Sequence, residues 1–258
     1  MIFVDTHCHL YDEAFDADRG EAVLRAVGAG VTTMLLPDID STSTDRLDML
    51  AAQYPQYFRR MTGLHPTSVK EDYERELQHV HERLVRDGAR FVAVGEIGMD
   101  LYWDRTFEEQ QRVVLRQQML WAEEFGLPVA LHIRKAHNEV FGLLRDMNRR
   151  AYRGVMHCFG GSVQEAQRAV EMGFHLGIGG VVTFKNATMA EVVKAIPLDK
   201  LLLETDAPYL SPVPYRGKRN ESSYIPLIAQ RVAEIKGVAI EEVARQTTAN
   251  AAELFGLA

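Results

Sequence analysis

The stretch Phe91-Val92-Ala93-Val94-Gly95-Glu96-Ile97-Gly98-Met99-Asp100 begins with four apolar residues and continues through two glycines and two carboxylates. Its apolar run lacks the polar alternation of a half-exposed strand, so it predicts a strand buried on both faces of a parallel sheet. Apolar runs of the same kind recur along the chain. They cover residues 2–4, 31–36, 58–64, 127–131, 155–156, 174–178 and 201–203.

The segments between these runs predict helices. In one of them, Leu115, Met119, Ala122 and Phe125 recur at spacings of four and three and form one apolar stripe. A strand followed by a helix, repeated along the chain, predicts a parallel sheet with right-handed crossovers. Eight such units in 258 residues suit a TIM-type (β/α)8 barrel, so we expect an α/β fold with a single domain over residues 1–258. An open doubly wound sheet is the alternative, but no G-x-G-x-x-G motif follows the first strand.

The composition is that of a globular protein, since 47% of the residues are hydrophobic and 25% are charged. The formal net charge of −7 excludes broad electrostatic binding along a DNA duplex or to an anionic membrane. We expect no signal peptide and no membrane span, because residues 1–5 are not basic and no apolar run approaches about 18 residues. Cys8 and Cys158 cannot build a disulfide framework, and the chain is therefore predicted to be cytoplasmic.

Histidines and carboxylates follow the predicted strands at their carboxyl ends. In a TIM barrel these ends converge on the face that carries the active site. Imidazole and carboxylate groups suit borderline divalent metals, and this set is large enough for two ions, so we predict two divalent ions (magnesium, manganese or zinc). A buried or ion-paired side chain is the simpler interpretation of any single position, but it explains the whole set poorly. The predicted ligands are His7, His9, Glu96, His132, His157 and Asp206.

Several motifs extend this pattern over the whole chain: DTHCH (5–9), GLHP (63–66), GEIGMD (95–100), HCF (157–159), VTFKNA (182–187), ETDAPYL (204–210) and PVPYRGKRNE (212–221). With these motifs the chain closely resembles the TatD family of metal-dependent deoxyribonucleases, within the amidohydrolase superfamily. The last motif is the most specific. The chain departs from the family pattern at Ile133, Gly160 and Ser222, and none of these is a predicted ligand.

The resemblance implies how the ligands are shared and what the protein does. One ion would be held by His7, His9, Glu96 and Asp206, and the other by Glu96, His132 and His157, with Glu96 bridging. The implied reaction is hydrolysis of phosphodiester bonds of DNA, as a 3′–5′ exonuclease acting on single-stranded ends. We predict two further catalytic roles: Asp206 takes the proton of the attacking water, and Glu204 orients a ligand histidine.

Basic residues after the strands are predicted to contact the substrate phosphates. They are His65, Arg134, Lys185, Arg216, Lys218 and Arg219. Tyr102 and Trp103 could stack on a base. The expected partner is a DNA end held over a short footprint. No membrane and no obligate protein partner are indicated, and a monomer is expected.

Two other functions are compatible with the same residues. A small-molecule amidohydrolase or phosphoesterase could use the same metal site, because fold alone does not select the substrate. The basic loop at residues 216–219 favours the nuclease, since a neutral amide needs no such cluster. A non-catalytic metal-binding module is the second alternative, and the retained Asp206 argues against it.

Overall fold

The protein is a barrel of eight parallel strands, described here from a computed structural model. The structure describes residues 1–149, 151–185 and 188–257, so the last two positions of the VTFKNA motif lie outside the described residues. The strands pair in the order of the chain, from β1 to β8, which confirms the predicted fold class. They are β1 (Phe3–Asp5), β2 (Val31–Leu36), β3 (Phe58–Thr62), β4 (Phe91–Asp100), β5 (Val129–Arg134), β6 (Gly154–Met156), β7 (Phe174–Ile178) and β8 (Leu201–Leu203).

Helices alternate with the strands. Those of the described residues are α1 (Arg19–Gly28), α2 (Thr44–Gln53), α3 (Tyr73–Asp87), α4 (Glu108–Glu124), α5 (His137–Met147), α6 (Val163–Glu171), α7 (Met189–Ala195), α8 (Ile225–Lys236) and α9 (Ile240–Phe255). The predicted stripe lies on α4, where Leu115, Met119 and Ala122 are buried. Within the described ranges, no helix combines the length and apolar character needed to cross a bilayer.

The interior of the barrel is filled by small and medium apolar side chains. Leu35, Met61 and Leu202 are fully buried there, and full burial of a side chain of this size contributes about 1.5–3 kcal/mol. The end of α9 packs against this layer through Leu254 and Phe255. A closed apolar floor therefore lies beneath the polar residues at the other end of the strands.

The fourth strand is longer than the apolar run predicts. The run covers residues 91–94, whereas β4 continues to Asp100 and carries Glu96 within it. Gly98 makes this extension possible, because it pairs with His132 on β5 and has a φ of +152°. A Cβ atom at Gly98 would lie 1.9 Å from the carbonyl oxygen of His132, so no larger residue fits between the two strands.

Candidate metal centre

Glu96 lies at the centre of the site, with a residue exposure of only 2%. Its Oε2 atom lies 3.0 Å from Nε2 of His7 and 3.7 Å from Nε2 of His9. The same two nitrogens lie 3.8 and 3.5 Å from Oδ1 of Asp206. Two histidines that follow β1 and a glutamate of β4 thus meet a carboxylate that follows β8, as the strand ends predict.

The second oxygen of Glu96 faces a different group of histidines. Oε1 lies 2.8 Å from Nδ1 of His132, 2.9 Å from Nε2 of His157 and 3.3 Å from Nε2 of His65. Each oxygen of the buried carboxylate therefore has its own set of imidazoles. His65, which the sequence assigns to phosphate binding, lies among the candidate ligands, and it forms a possible metal-holding group with Glu96 and His132.

Asp100 fixes the orientation of the His132 ring. Its Oδ2 atom accepts a hydrogen bond of 2.9 Å from Nε2 of His132, which leaves Nδ1 directed towards Glu96. Asp100 is itself held in place, because its backbone N–H donates to Gln111 Oε1 and its Oδ1 accepts from the N–H of Tyr102. Such a carboxylate fixes the tautomer of a ligand histidine and raises its basicity.

Glu204 plays the same part for His157. Its Oε1 atom lies 3.3 Å from Nδ1 of His157 and also accepts a hydrogen bond from the backbone N–H of Cys158. Gly177 leaves the room that this carboxylate needs, because a Cβ at that position would lie 2.1 Å from Glu204 Oε2. The position of Glu204 is the one expected of a residue that orients a ligand.

Tyr11 orients the imidazole ring of His9. Its hydroxyl donates to the carbonyl oxygen of Pro37 over 2.6 Å, so Nδ1 of His9, 2.9 Å away, is the donor to the phenol oxygen. The hydrogen-bond network thus assigns the proton of His9 to Nδ1 and leaves the Nε2 lone pair facing the centre.

The pKa shifts of the side chains in the centre favour a bound proton or cation. Burial raises the pKa of Glu96, but the imidazoles of His157, His65 and His7 outweigh it and hold that pKa well below its ordinary value. Burial likewise opposes charge on His157, yet the carboxylates of Glu96 and Glu204 raise its pKa well above the usual value. Burial alone would lower the pKa of His132, and its hydrogen bonds to Asp100 and Glu96 raise it instead.

These observations fit a divalent ion. With the outer nitrogens of His9, His132 and His157 directed to Tyr11, Asp100 and Glu204, their inner nitrogens and the Glu96 oxygens are electron-pair donors that face one another. Such an arrangement is favourable only with protons or cations between the donors. The donor set is imidazole and carboxylate, the one preferred by zinc and other borderline divalent metals. The described residues form three such groups: His7, His157 and Asp206; His7, His9 and Glu96; and His65, Glu96 and His132.

A cavity of about 1,420 Å³ opens above the centre. Its lining includes four non-glycine residues in the left-handed backbone region, Lys135, Cys158, Asp206 and Leu210, with φ between +43° and +57°. Backbone strain of this kind persists only where the surrounding structure enforces it, and it is concentrated at functional sites. Asp206 is one of them, so its side chain is aimed by an unusual backbone conformation.

The predicted phosphate-binding residues separate into two groups. His65 and Arg134 line the cavity, and Lys135 beside them is a further cation that the sequence reasoning missed. The lining formed by the described residues does not include Lys185, Arg216, Lys218 or Arg219.

The structure gives Arg219 a partner within the protein. Its guanidinium donates two hydrogen bonds to the carboxylate of Asp18, of 2.6 and 2.8 Å, and lies over the ring of Phe15. Arg216 stacks on the ring of Phe184, with its guanidinium carbon 4.1 Å from the ring centroid. The contact of residues 216–219 with substrate stays a prediction, and for Arg219 the ion pair competes with it.

Two residues that orient ligands, Asp100 and Tyr11, were absent from the predicted site. A signal in the sequence exists for Asp100, which stands four residues after Glu96 on β4, because in extended chain this spacing puts two side chains on the same side. Tyr11 lies in a turn, closed by the hydrogen bond from the N–H of Asp12 to the carbonyl of His9. The period of two therefore identifies Asp100 and does not identify Tyr11.

Comparisons with known proteins identify the family of the chain. The model of a family described as TatD related DNase matches residues 4–256. An uncharacterized metal-dependent hydrolase, YabD from Bacillus subtilis, is 40% identical over 256 residues, which are 99% of each chain. A protein named 3′-5′ ssDNA/RNA exonuclease TatD from Pantoea ananatis is 34% identical over 259 residues, covering 98% of this chain and 99% of its own. The crystal structure of YjjV, a TatD homologue from Escherichia coli K12, superposes with a TM-score of 0.93 at 32% identity, covering 99% of this chain and 98% of the other.

Proposed function

The chain belongs to the TatD family of metal-dependent hydrolases, and from this membership we propose that it removes nucleotides from the 3′ end of single-stranded DNA. The observation that carries the proposal is the placement of Glu96, whose two carboxylate oxygens face separate groups of histidines beside Asp206. The exonuclease name of the relative that is 34% identical supports this reaction. The chain's own ligands, its general base and its cations at the cavity also suit hydrolysis of a phosphodiester.

The ligands divide around Glu96. In the proposed arrangement one ion would be held by His7, His9, Asp206 and Glu96, and a second by His132, His157 and Glu96. When bound, a pair of divalent ions lowers the pKa of water and stabilises negative charge on the attacking and leaving oxygens. A carboxylate can serve both ions because it has two oxygens, whereas an imidazole offers one lone pair.

Asp206 is the proposed general base. It lines the cavity, and its carboxylate oxygen lies 3.5 Å from Nε2 of His9. Burial raises the pKa of Asp206, but its contact with His9 and the charges of His157 and His7 outweigh it and keep that pKa low. The carboxylate is therefore ionised at neutral pH and accepts the proton of the attacking water at Oδ.

The charge around the cavity suits a short length of nucleic acid. Arg134 and Lys135 provide cations at the rim, and His65 can donate to a phosphate oxygen. Asp12 and Asp40 line the cavity too, and together with the net charge of −7 they disfavour a long polyanion lying across the whole opening. A strand end reaching the centre with a few phosphates avoids most of this repulsion.

The test is an end-resolved cleavage assay. Metal-stripped protein is reloaded with magnesium, manganese or zinc and given single- and double-stranded DNA and RNA labelled at either end. We expect a ladder of products that shorten stepwise from the 3′ end of single strands with at least one metal. Glu96→Gln and Asp206→Asn should lose at least about a thousandfold in rate, since each removes a group that acts in the transition state.

Glu234→Gln is the matched control, because Glu234 is exposed on α8, lines neither cavity and accepts hydrogen bonds from Gln230 and Arg231 on the same helix. This variant should cleave like the wild type. Full activity in Glu96→Gln would contradict the proposed site. Hydrolysis of a small ester or amide, with no shortening of any oligonucleotide, would replace the nuclease by a small-molecule hydrolase.

A further inference from the structure

A second cavity, of about 290 Å³, adjoins the metal centre. Thr67, Asp100 and Trp103 line both this cavity and the large one. Since Asp100 holds the ring of His132, the second cavity lies one side chain away from a predicted metal ligand. We call it the side cavity. Its other lining residues are Pro66, Val69, Lys70, Asp104, Phe107 and Gln111.

The walls of the side cavity combine aromatic and aliphatic side chains with polar ones. Trp103 and Phe107 contribute two ring systems, and Pro66 and Val69 contribute aliphatic surface. The indole of Trp103 is 70% exposed, although a tryptophan is normally well buried. A large exposed aromatic ring at the edge of a cavity that adjoins a reactive centre marks a surface for a flat, apolar-faced ligand.

Trp103 is held in position from the side of the metal centre. The guanidinium carbon of Arg134 lies 5.0 Å from the centroid of the Trp103 ring and 4.1 Å from that of Tyr102. The two rings also contact each other edge to face, at 4.9 Å. A ring ordered in this way loses little conformational entropy when a ligand stacks on it.

We propose that the side cavity binds an unpaired nucleobase of the substrate, belonging to a nucleotide close to the scissile bond. The proposal rests on the proposed function and names the part of the substrate that this cavity recognises. The base stacks on Trp103, with Phe107 and Pro66 along the rest of the slot. Lys70, whose Nζ atom lies 5.4 Å from the centroid of the Phe107 ring, supplies a cation for the phosphate of that nucleotide.

This slot recognises the faces of a base more than its edges. The side chain of Gln111 is occupied by two hydrogen bonds with the backbone of Asp100, and the N–H and hydroxyl of Thr106 both donate to Oδ1 of Asp104. Stacking on Trp103 serves all four bases, so this contact selects weakly among them. A base that is still paired in a duplex is stacked on its neighbours and cannot enter, so the slot favours single strands of any sequence.

Tryptophan fluorescence gives a direct measure of stacking, because the chain has two tryptophans and Trp121 can be removed. Trp121 stacks on His81, at 4.9 Å and 27°, so Trp121→Phe keeps an aromatic ring there. The probe is a twelve-residue oligothymidylate with phosphorothioate linkages at its 3′ end, added to metal-loaded Trp121→Phe protein. We expect it to quench the fluorescence of Trp103, and an abasic residue at one position near the 3′ end to reduce the quenching.

Kinetics test the same contact with cleavable substrates. Trp103→Ala should raise KM by about tenfold with kcat nearly unchanged, since base stacking on an aromatic ring contributes about this factor to binding. Trp103→Phe keeps an aromatic ring and should bring KM most of the way back to the wild-type value. For the wild-type protein, KM should rise by about the same factor on a substrate with an abasic residue at the sensitive position. Trp103→Ala should be insensitive to that residue, because the two changes remove one interaction. Trp121→Phe serves as the control and should match the wild type.

The outcomes separate this inference from the proposed function. Stepwise cleavage by the wild type, with no quenching, no sensitive position and an unchanged KM in Trp103→Ala, would overturn the base slot and leave the exonuclease standing. If the wild type shortens no oligonucleotide with any metal, the proposed function is wrong, and the base slot, which rests on it, is wrong as well.

Discussion

Oδ2 of Asp100 lies 2.9 Å from Nε2 of His132, while the other nitrogen of that ring lies 2.8 Å from Glu96. The imidazole is thus fixed between two carboxylates, one of which faces the centre and one of which supports it from behind. This contact joins the metal centre to the side cavity, because Asp100 lines both cavities.

Asp100→Asn should weaken metal binding by about 10- to 100-fold, because an amide holds the His132 tautomer less firmly than a carboxylate does. The measurement is a titration of metal-stripped protein with manganese, read by calorimetry. Asp104→Asn, four residues along the chain, is the control and should bind like the wild type. Equal affinities in Asp100→Asn and the wild type would show that Asp100 has no part in holding the ligand.

Metal removal should lower the thermal stability. An ion at about 100 times its Kd stabilises the folded state by about 2.7 kcal/mol, which for a chain of 258 residues corresponds to about 5–10 °C in Tm. Scanning calorimetry with chelator and then with manganese measures the shift. Glu96→Gln should show little or none of it, because that residue faces both groups of histidines. A shift of full size in Glu96→Gln would place the ion elsewhere.

Gly177→Ala should disturb the site through Glu204. The new methyl group would lie 2.1 Å from Glu204 Oε2, so the carboxylate must move away from His157. We expect a loss of about 1–3 kcal/mol in the free energy of unfolding and a loss of activity of about tenfold or more. Urea denaturation and the cleavage assay measure the two effects.

The matched control is Gly142→Ala, in the interior of α5, where nothing lies within 4 Å of the added Cβ. It should stabilise the protein by about 0.5–1 kcal/mol, since alanine is the better helix former, and leave activity unchanged. If both alanine variants behaved alike, the position of Glu204 would not depend on Gly177.

Arg219→Gln tests whether this arginine serves the fold or the substrate. Hydrogen bonds from Arg219 and Arg25 hold the pKa of Asp18 well below 3.8. An acid whose pKa is lowered in the folded state contributes stability above its unfolded pKa and loses it as the pH falls through the folded value. The variant should therefore be less stable by about 1 kcal/mol or less between pH 5 and 8, because the pair is partly exposed to solvent, and the difference should shrink below about pH 4.

Chemical denaturation across this pH range measures the effect, and KM for a single-stranded oligonucleotide is measured in parallel. A KM within about twofold of the wild type would assign Arg219 to the fold. A large rise in KM with no change in stability would assign it to the substrate and contradict the structural role.

Much of the fold follows from local pattern. The eight apolar runs correspond to the eight strands, because a strand largely covered on both faces is mostly apolar. The third run is interrupted by Arg59 and Arg60, which are half-buried on β3. The end of β4 was not predictable in this way, since Gly95 and Gly98 interrupt the run. It is the approach of β5 that keeps these residues extended, and that approach depends on tertiary structure.

The candidate site, too, was predictable from the sequence only in part. His7, Glu96 and Asp206 come together as predicted, because the fold gathers the carboxyl ends of all its strands on one face. The partner of Arg219 was not predictable, since Asp18 is about 200 positions away in the chain and charge pairing follows no period. Base stacking by Trp103 was predicted, but the side cavity beside it was not predictable, since its walls come from two loops, the end of β4 and the start of α4.

The barrel closes where its first and last strands meet, and three of the candidate ligands, His7, His9 and Asp206, lie on that seam. The N–H of Asp206 donates to the carbonyl of His7, and the N–H of His9 donates to that of Ala207. An ion held by His7, His9 and Asp206 would therefore link the segment that follows β1 to the segment that follows β8. Only a fully closed barrel presents the complete set, so retention of metal would report that the molecule has folded to its last strand. A truncated or half-assembled chain would lack a complete metal centre.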